Sequence, residues 1–267
     1  MDRTLFRVLA VLAVASVIFL AAISITVFME ITYRATLSSA YEYQVSITSD
    51  ATLENVTLYI PIPARGAEAS AVLQGIGAGG LQGLPQGWSI SLIGTEKFTW
   101  LEVTARRIPP SPPGRPYLIS VKAMIHGPID TRNAGTGDLV LVPFAKRTPI
   151  VCGNMDSENS PEVRCELYQG SAYADFTAPG DVYLSIFSFL TGRNSWEVFG
   201  PSSNEYQDGL QVSFSGATRG WHTGDGILIT GIGDYGIEFW LQHTETTGAG
   251  SRPSMQYVWW PLVAGEG

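Results

Sequence analysis

The hydrophobic rhythm of the chain changes once, near residue 40. Before that point, Val8 to Met29 is a run of 22 residues without a charge. As a helix rising about 1.5 Å per residue it measures roughly 33 Å, enough to cross the hydrocarbon core of a bilayer. After Tyr41, apolar and polar residues alternate with period two, the pattern of a half-buried strand. Tyr41, Tyr43, Val45 and Ile47 alternate with Glu42, Gln44, Ser46 and Thr48. Val56, Leu58, Ile60 and Ile62 alternate with Asn55, Thr57, Tyr59 and Pro61. The same rhythm predicts strands over Tyr117–Ile125, Leu210–Phe214 and Ile237–Leu241.

Val182–Leu190 is apolar in both phases, which suits a central strand covered on two sides. Thr191-Gly192-Arg193-Asn194 then reads as a turn into Trp196–Phe199. Further turn signals stand at Pro179-Gly180, Gly224-Asp225-Gly226 and Gly233-Asp234. The best helical stretch outside the N-terminal run is short, around Gly66–Leu73. Two segments read as long exposed loops: Gly75–Gly87, with six glycines, and Ile108–Pro116, with five prolines. Gly75–Gly87 lacks the Lys-Ser/Thr of a phosphate-binding loop. Many short strands with frequent turns and no crossover helices predict an all-β, antiparallel, β-sandwich-like body over residues 41–267. One domain is expected, with a split near residues 145–165 as the alternative.

Arg3 and Arg7 precede the apolar run and Glu30 closes it. The positive-inside rule therefore assigns residues 1–7 to the cytoplasm, 8–29 to a transmembrane signal-anchor, 30–40 to a stem and the body to the outside. A cleaved secretory signal is the competing reading; its apolar region is usually about 7–15 residues, shorter than this run. Cys152 and Cys165 are the chain's only cysteines, and an even count in an exported domain reads as a disulfide. Asn55-Val56-Thr57 is an N-glycosylation sequon on the polar phase of its strand.

Charge narrows the partners. The chain carries 16 Lys+Arg against 24 Asp+Glu, a net charge of −8, with 15% charged residues. That balance excludes a phosphate-neutralising surface, so nucleic acid is not an expected partner. The averages mix two solvents, because the uncharged run dilutes the charge of a more polar, acidic body.

Candidate chemistry is sparse. His126, His222 and His243 form no metal-binding repeat, and no nucleophile elbow is present. His222 lies three residues from Asp225, half of a hydrolase-like pair that lacks a third member. Asp156, Glu158, Asp225 and Asp234 are the weak candidates for Ca²⁺, and none has EF-hand spacing. Otherwise no cofactor is expected. Most of the seven tryptophans are expected in the core. Trp240 shares a phase with Glu238 and Gln242, so it is a candidate ligand contact, as is one of Trp259 and Trp260.

Several segments resemble uncharacterised membrane-anchored surface proteins of archaea, methanogens in particular. They are Ala51 to Pro63, Leu190 to Trp196, Asn204-Glu205-Tyr206 and Gly220-Trp221-His222. The resemblance implies a cell-envelope setting and transfers no catalytic residue. The reading is a non-catalytic, membrane-tethered surface domain serving envelope structure or interaction with envelope proteins. The alternatives are a carbohydrate-binding module for envelope glycans, a self-associating subunit of a filament or lattice, and an envelope hydrolase.

Overall fold

The structure is a computed structural model that describes residues 3–65, 71–77, 79–94, 99–152, 163–216 and 219–235. It opens with one long helix, α1 (Arg3–Thr36), and continues as a β body. The strands are β1 (Ser38–Ser49), β2 (Leu53–Pro61), β3 (Leu81–Gln82), β4 (Trp88–Gly94), β5 (Thr99–Ile108) and β6 (Tyr117–Ile125). They continue with β7 (Thr148–Ile150), β8 (Arg164–Thr177), β9 (Tyr183–Glu197), β10 (Pro201–Ser215) and β11 (Gly220–Gly233). Two short helices, α2 (Ala71–Gly77) and α3 (Ala134–Gly137), lie between strands.

The body is all-β, and every strand pairing is antiparallel. Among the described residues, a single sheet of 11 strands, in the order β3-β6-β1-β9-β10-β11-β8-β2-β5-β4 with β7 beside β8, takes the place of two separate sheets. It curls until its halves face each other. The Tyr43 hydroxyl on β1 donates to the Pro61 carbonyl on β2 at 2.8 Å. Trp88 on β4 meets Tyr117 on β6 at 5.2 Å, so the two ends of the sheet also approach. Strands on both sides of Cys152–Cys165 contribute to one hydrophobic cluster, among them Ile47, Leu58, Val103, Ala172, Leu184 and Phe214.

The period-two reading locates β1, β2, β6 and the C-terminal half of β10, with the expected apolar phases buried. The differences have physical causes. Val182–Leu190 is central in the sheet order yet covered on one side only: Leu184 and Ile186 are buried, while Tyr183 and Phe187 are exposed. Thr191–Asn194 does not turn. It continues β9, and Gly192 there is required by packing, because an added Cβ would lie 2.1 Å from a ring carbon of Tyr206. The turn comes instead at residues 198–200, where Gly200 has φ +147°.

Gly224–Gly226 likewise lies inside β11, with the Tyr168 ring seated on Gly226. The expected loop Gly75–Gly87 begins as α2, which buries Val72 and Ile76 against β6. Of the helix expected over Gly66–Leu73, residues 66–70 lie outside the described residues and Ala71–Leu73 are the first three residues of α2. Of the exposed loop expected over Ile108–Pro116, Ile108 is instead the buried last residue of β5, and Pro109–Pro116 is the connection, pinned where Ser111 Oγ accepts the Ser49 N–H at 3.1 Å.

From Leu9 to Thr36, α1 is long and apolar enough to cross a membrane. The stem expected over residues 30–40 is helix to Thr36 and strand from Ser38. Tyr33 packs edge-on against Trp196 at 5.5 Å, which fastens the helix end to β9.

Candidate functional site

The outer face of β11, β8, β2 and β5 carries a cluster of four aromatic rings. Strand pairing builds it. Trp221 is opposite Tyr173 across β11 and β8, and Tyr173 is opposite Tyr59 across β8 and β2. Trp100 joins from β5, on the same phase as Glu102, the partner of Tyr59. Tyr59 and Tyr173 stack at 5.0 Å, and Trp221 lies over the group, 4.8 Å from Trp100 and 5.5 Å from Tyr173. The rings satisfy one another's faces, so only the top of the cluster is free: Trp221 remains 53% exposed. An exposed indole with polar neighbours is a contact surface for a sugar face or a protein side chain.

Charged groups surround the rings. Arg219 pairs with Asp175 at 2.8 Å. Its pKa is raised, first by its hydrogen bond to Tyr173 and then by the charge of Asp175. Glu102 accepts a hydrogen bond from Ser91 on β4. Desolvation, followed by the negative charge of Glu102, raises the Tyr59 phenol.

The position of the cluster matters as much as its chemistry. Trp221 opens β11, whose other end, Gly233, pairs with Asn204 near the β9–β10 turn and the end of α1. Twelve residue steps separate Trp221 from Gly233. At about 3.3 Å per residue the cluster stands on the order of 40 Å from the helix end of the body.

A second polar constellation is internal and holds residues 126–147 across the curled sheet. On β10, Asn204, Tyr206 and Asp208 occupy one buried phase, and each binds this strap or its anchors. Asn194 on β9 accepts the Ile129 N–H at 2.8 Å and donates to the Ile129 carbonyl at 2.9 Å. Asn204 Oδ1 accepts from Asn194 at 2.8 Å and from Thr131 at 3.1 Å. The Tyr206 hydroxyl donates to the Leu139 carbonyl at 2.5 Å. Asp208 accepts the Leu141 N–H at 2.7 Å and the Tyr168 hydroxyl at 2.5 Å.

Burial lifts Asp208 to about 6, although Tyr168, Leu141 and Arg147 pull it down. The Tyr168 and Tyr206 phenols are raised well above their ordinary value, mainly by desolvation. Desolvation also raises Tyr41, which donates to Asp138 in the strap. These groups bond one another and the main chain of the strap, so the network positions backbone.

Cys152 and Cys165 form the expected disulfide, with Cα atoms 5.3 Å apart. Asn55 is exposed at φ +52°, inside the register shift between β2 and β8. His222 and Asp225 lie three residues apart on β11, whose pairing with β8 is regular there, so they project to opposite faces. The His222 ring packs on Phe214 at 4.5 Å. Asp225 is exposed, and Asp234 accepts from Ser202 at 3.0 Å. Asp156, Glu158, His243, Trp240, Trp259, Trp260 and the strand expected over Ile237–Leu241 lie outside the described residues. Among the described residues no three His, Cys, Asp or Glu side chains group as a metal site.

The expectation that most tryptophans are core holds for Trp88 and Trp196 and fails for Trp221. The signal was in the sequence. Trp221 alternates in phase with Thr223 and Asp225, and Trp100 with Glu102 and Thr104, both polar phases. No protein family, curated protein or solved structure matches this chain.

Proposed function

We propose that this chain is a non-catalytic, membrane-tethered surface domain that presents its β body to another component of the cell envelope. The carrying observation is the direct join of α1 to β1, reinforced by the Tyr33–Trp196 contact. A body fastened to the end of an apolar helix is built for display on a membrane. Arg3 and Arg7 before the apolar run support a cytoplasmic N-terminus with the body outside. The disulfide suits that oxidising side. The archaeal envelope implied by the resemblance, and a glycan on the exposed Asn55, belong to the same reading. Protease treatment of intact cells tests the topology: the body is expected to be digested, and a protected body overturns the proposal.

The Trp221 cluster favours a second reading, in which the presented surface binds envelope carbohydrate. A glycan array probed with the wild type and with Trp221→Ala distinguishes the two. Binding that disappears in the variant supports carbohydrate recognition. Absent binding, or binding indifferent to the change, leaves a protein contact as the role of this face.

A further inference from the structure

The turn between β9 and β10 lies where the body meets α1. β9 runs toward the helix end, because β1 starts there and the two strands are antiparallel, with Ser38 opposite Ser195. At its end, Thr36 Oγ1 accepts the Glu197 N–H at 3.0 Å and donates to the Glu197 carbonyl at 3.1 Å. The turn comes directly after, and residues 198–204 carry no charge. Phe199 at its tip is 67% exposed.

Helix accessibility sets the depth of this turn. α1 is exposed at every position from Leu9 to Phe28, and cover begins at Met29, Glu30, Thr32 and Tyr33. Leu9–Phe28 is 20 residues. That is about 30 Å of helix, the thickness of a hydrocarbon core. The body contacts the helix at Tyr33 and Thr36, the nearer of them five residues, or about 8 Å, above the end of that stretch. Met29 is seven residues, about 10 Å, lipid-ward of Thr36. β9 is the strand that packs on α1, and its turn is the part of it that extends beyond Glu197. The same level holds Tyr33, Trp196 and the Glu30–Arg34 ion pair at 2.5 Å. Trp and Tyr are enriched at the membrane–water boundary, and here Tyr33 and Trp196 are buried against each other just above it.

We infer that the β9–β10 turn is a second membrane contact, with Phe199 seated among the headgroups and upper acyl chains of the bilayer that holds α1. The inference rests on the tethered reading above. The occupant is lipid because the exposed ring lies on an uncharged turn two residues beyond Glu197, which is bonded to Thr36 at the end of the apolar helix. Two contacts, a helix and a turn, hold the body at one tilt to the membrane, with the Trp221 cluster at its far end.

The test uses the full-length protein in phospholipid nanodiscs. The Cys152–Cys165 bond leaves the thiol of Phe199→Cys as the single labelling site for an environment-sensitive fluorophore. Asp181→Cys, an exposed position at the opposite end of β9, is the aqueous reference. Phe19→Cys, 66% exposed in mid-helix, reports the span itself.

The expected result is blue-shifted emission at 199. Quenching there by a lipid spin-labelled near the headgroup should be strong, and quenching by aqueous iodide several-fold weaker than at 181. Equal iodide quenching at 199 and 181, with position 19 in lipid, overturns the inference and leaves the tether standing. Iodide quenching at position 19 overturns both.

Discussion

The carboxylate of Asp208 accepts the main-chain N–H of Leu141, 67 residues away in sequence, at 2.7 Å inside the curled sheet. This bond joins the strap to the floor of the body. It also places an acid where ionisation is costly, and its pKa rises to about 6 from 3.8.

The raised value has a definite sign. In the interval between the two pKa values the folded state holds the Asp208 proton and the unfolded state has lost it. The contribution of Asp208 to stability is therefore full below about pH 4, falls as pH rises through 6, and is then constant. About two units at 1.36 kcal/mol each give a change of roughly 3 kcal/mol. In Asp208→Asn this dependence is expected to vanish, while the Leu141 N–H keeps an acceptor. Chemical denaturation of both proteins between pH 4 and 7.5 should show Asn gaining on Asp by about that amount. A constant difference across the range contradicts the prediction.

Gly192 and Gly209 make a matched pair on neighbouring strands. A methyl at Gly192 would fall 2.1 Å from Tyr206 Cε1, whereas at Gly209 the nearest atom, from Phe187, is 3.4 Å away. Gly192→Ala is expected to destabilise by about 1–3 kcal/mol through overpacking. It should also displace Tyr206 from Leu139. Gly209→Ala should stay within about 0.5 kcal/mol of wild type, since strand entropy favours alanine. Thermal denaturation of the two variants side by side checks the contrast.

Opening Cys152–Cys165 removes a cross-link between residues 13 apart. The chain-entropy model gives about 3 kcal/mol for a loop of this order. Paired Ser variants are expected to fold with a lower Tm. Wild type in reductant should match them, and the variants should be indifferent to reductant.

Two tryptophans separate core from surface. Trp196 is 3% exposed against Tyr33, and Trp221 is 53% exposed over its three neighbours. Trp196→Ala should cost about 3–5 kcal/mol, as expected for a buried indole. Trp221→Ala should cost only about 1 kcal/mol, the scale of lost aromatic contacts. Iodide should quench a tryptophan component that Trp221→Ala removes and Trp196→Ala leaves. Equal losses of stability would place Trp221 in the structural core.

Much of the body was legible from residue phase alone. Val45 and Ile47 point inward because alternation on a pleated strand is a local property. Leu210, Val212 and Phe214 obey the same rule. Their phase, carried upstream, passes through Asp208, Tyr206 and Asn204, which are buried as well. No alternation scale expects that, since a polar side chain reads as solvent-facing. Their burial depends on the main chain of residues 129–141 arriving from elsewhere to accept and donate hydrogen bonds.

The glycines divide in the same way. Gly200 serves a turn, as glycine signals suggest, and Gly192 and Gly226 instead make room for rings on neighbouring strands.

By itself, then, the amino-acid sequence determined the apolar helix, the β character of the body, the phase of several strands and the pairing of its two cysteines. These rest on local periodicity and on the count of a reactive residue type. Tertiary structure alone decided the strand order and the closing of one sheet on itself. It also buried Asn194, Asn204 and Asp208 beneath the strap, gathered three outer aromatics under Trp221, and set Glu197 against Thr36 at the end of α1. Each of these is a meeting of residues distant in sequence. Their free energy arises only when a partner from another strand arrives to desolvate them, stack on them or complete their hydrogen bonds.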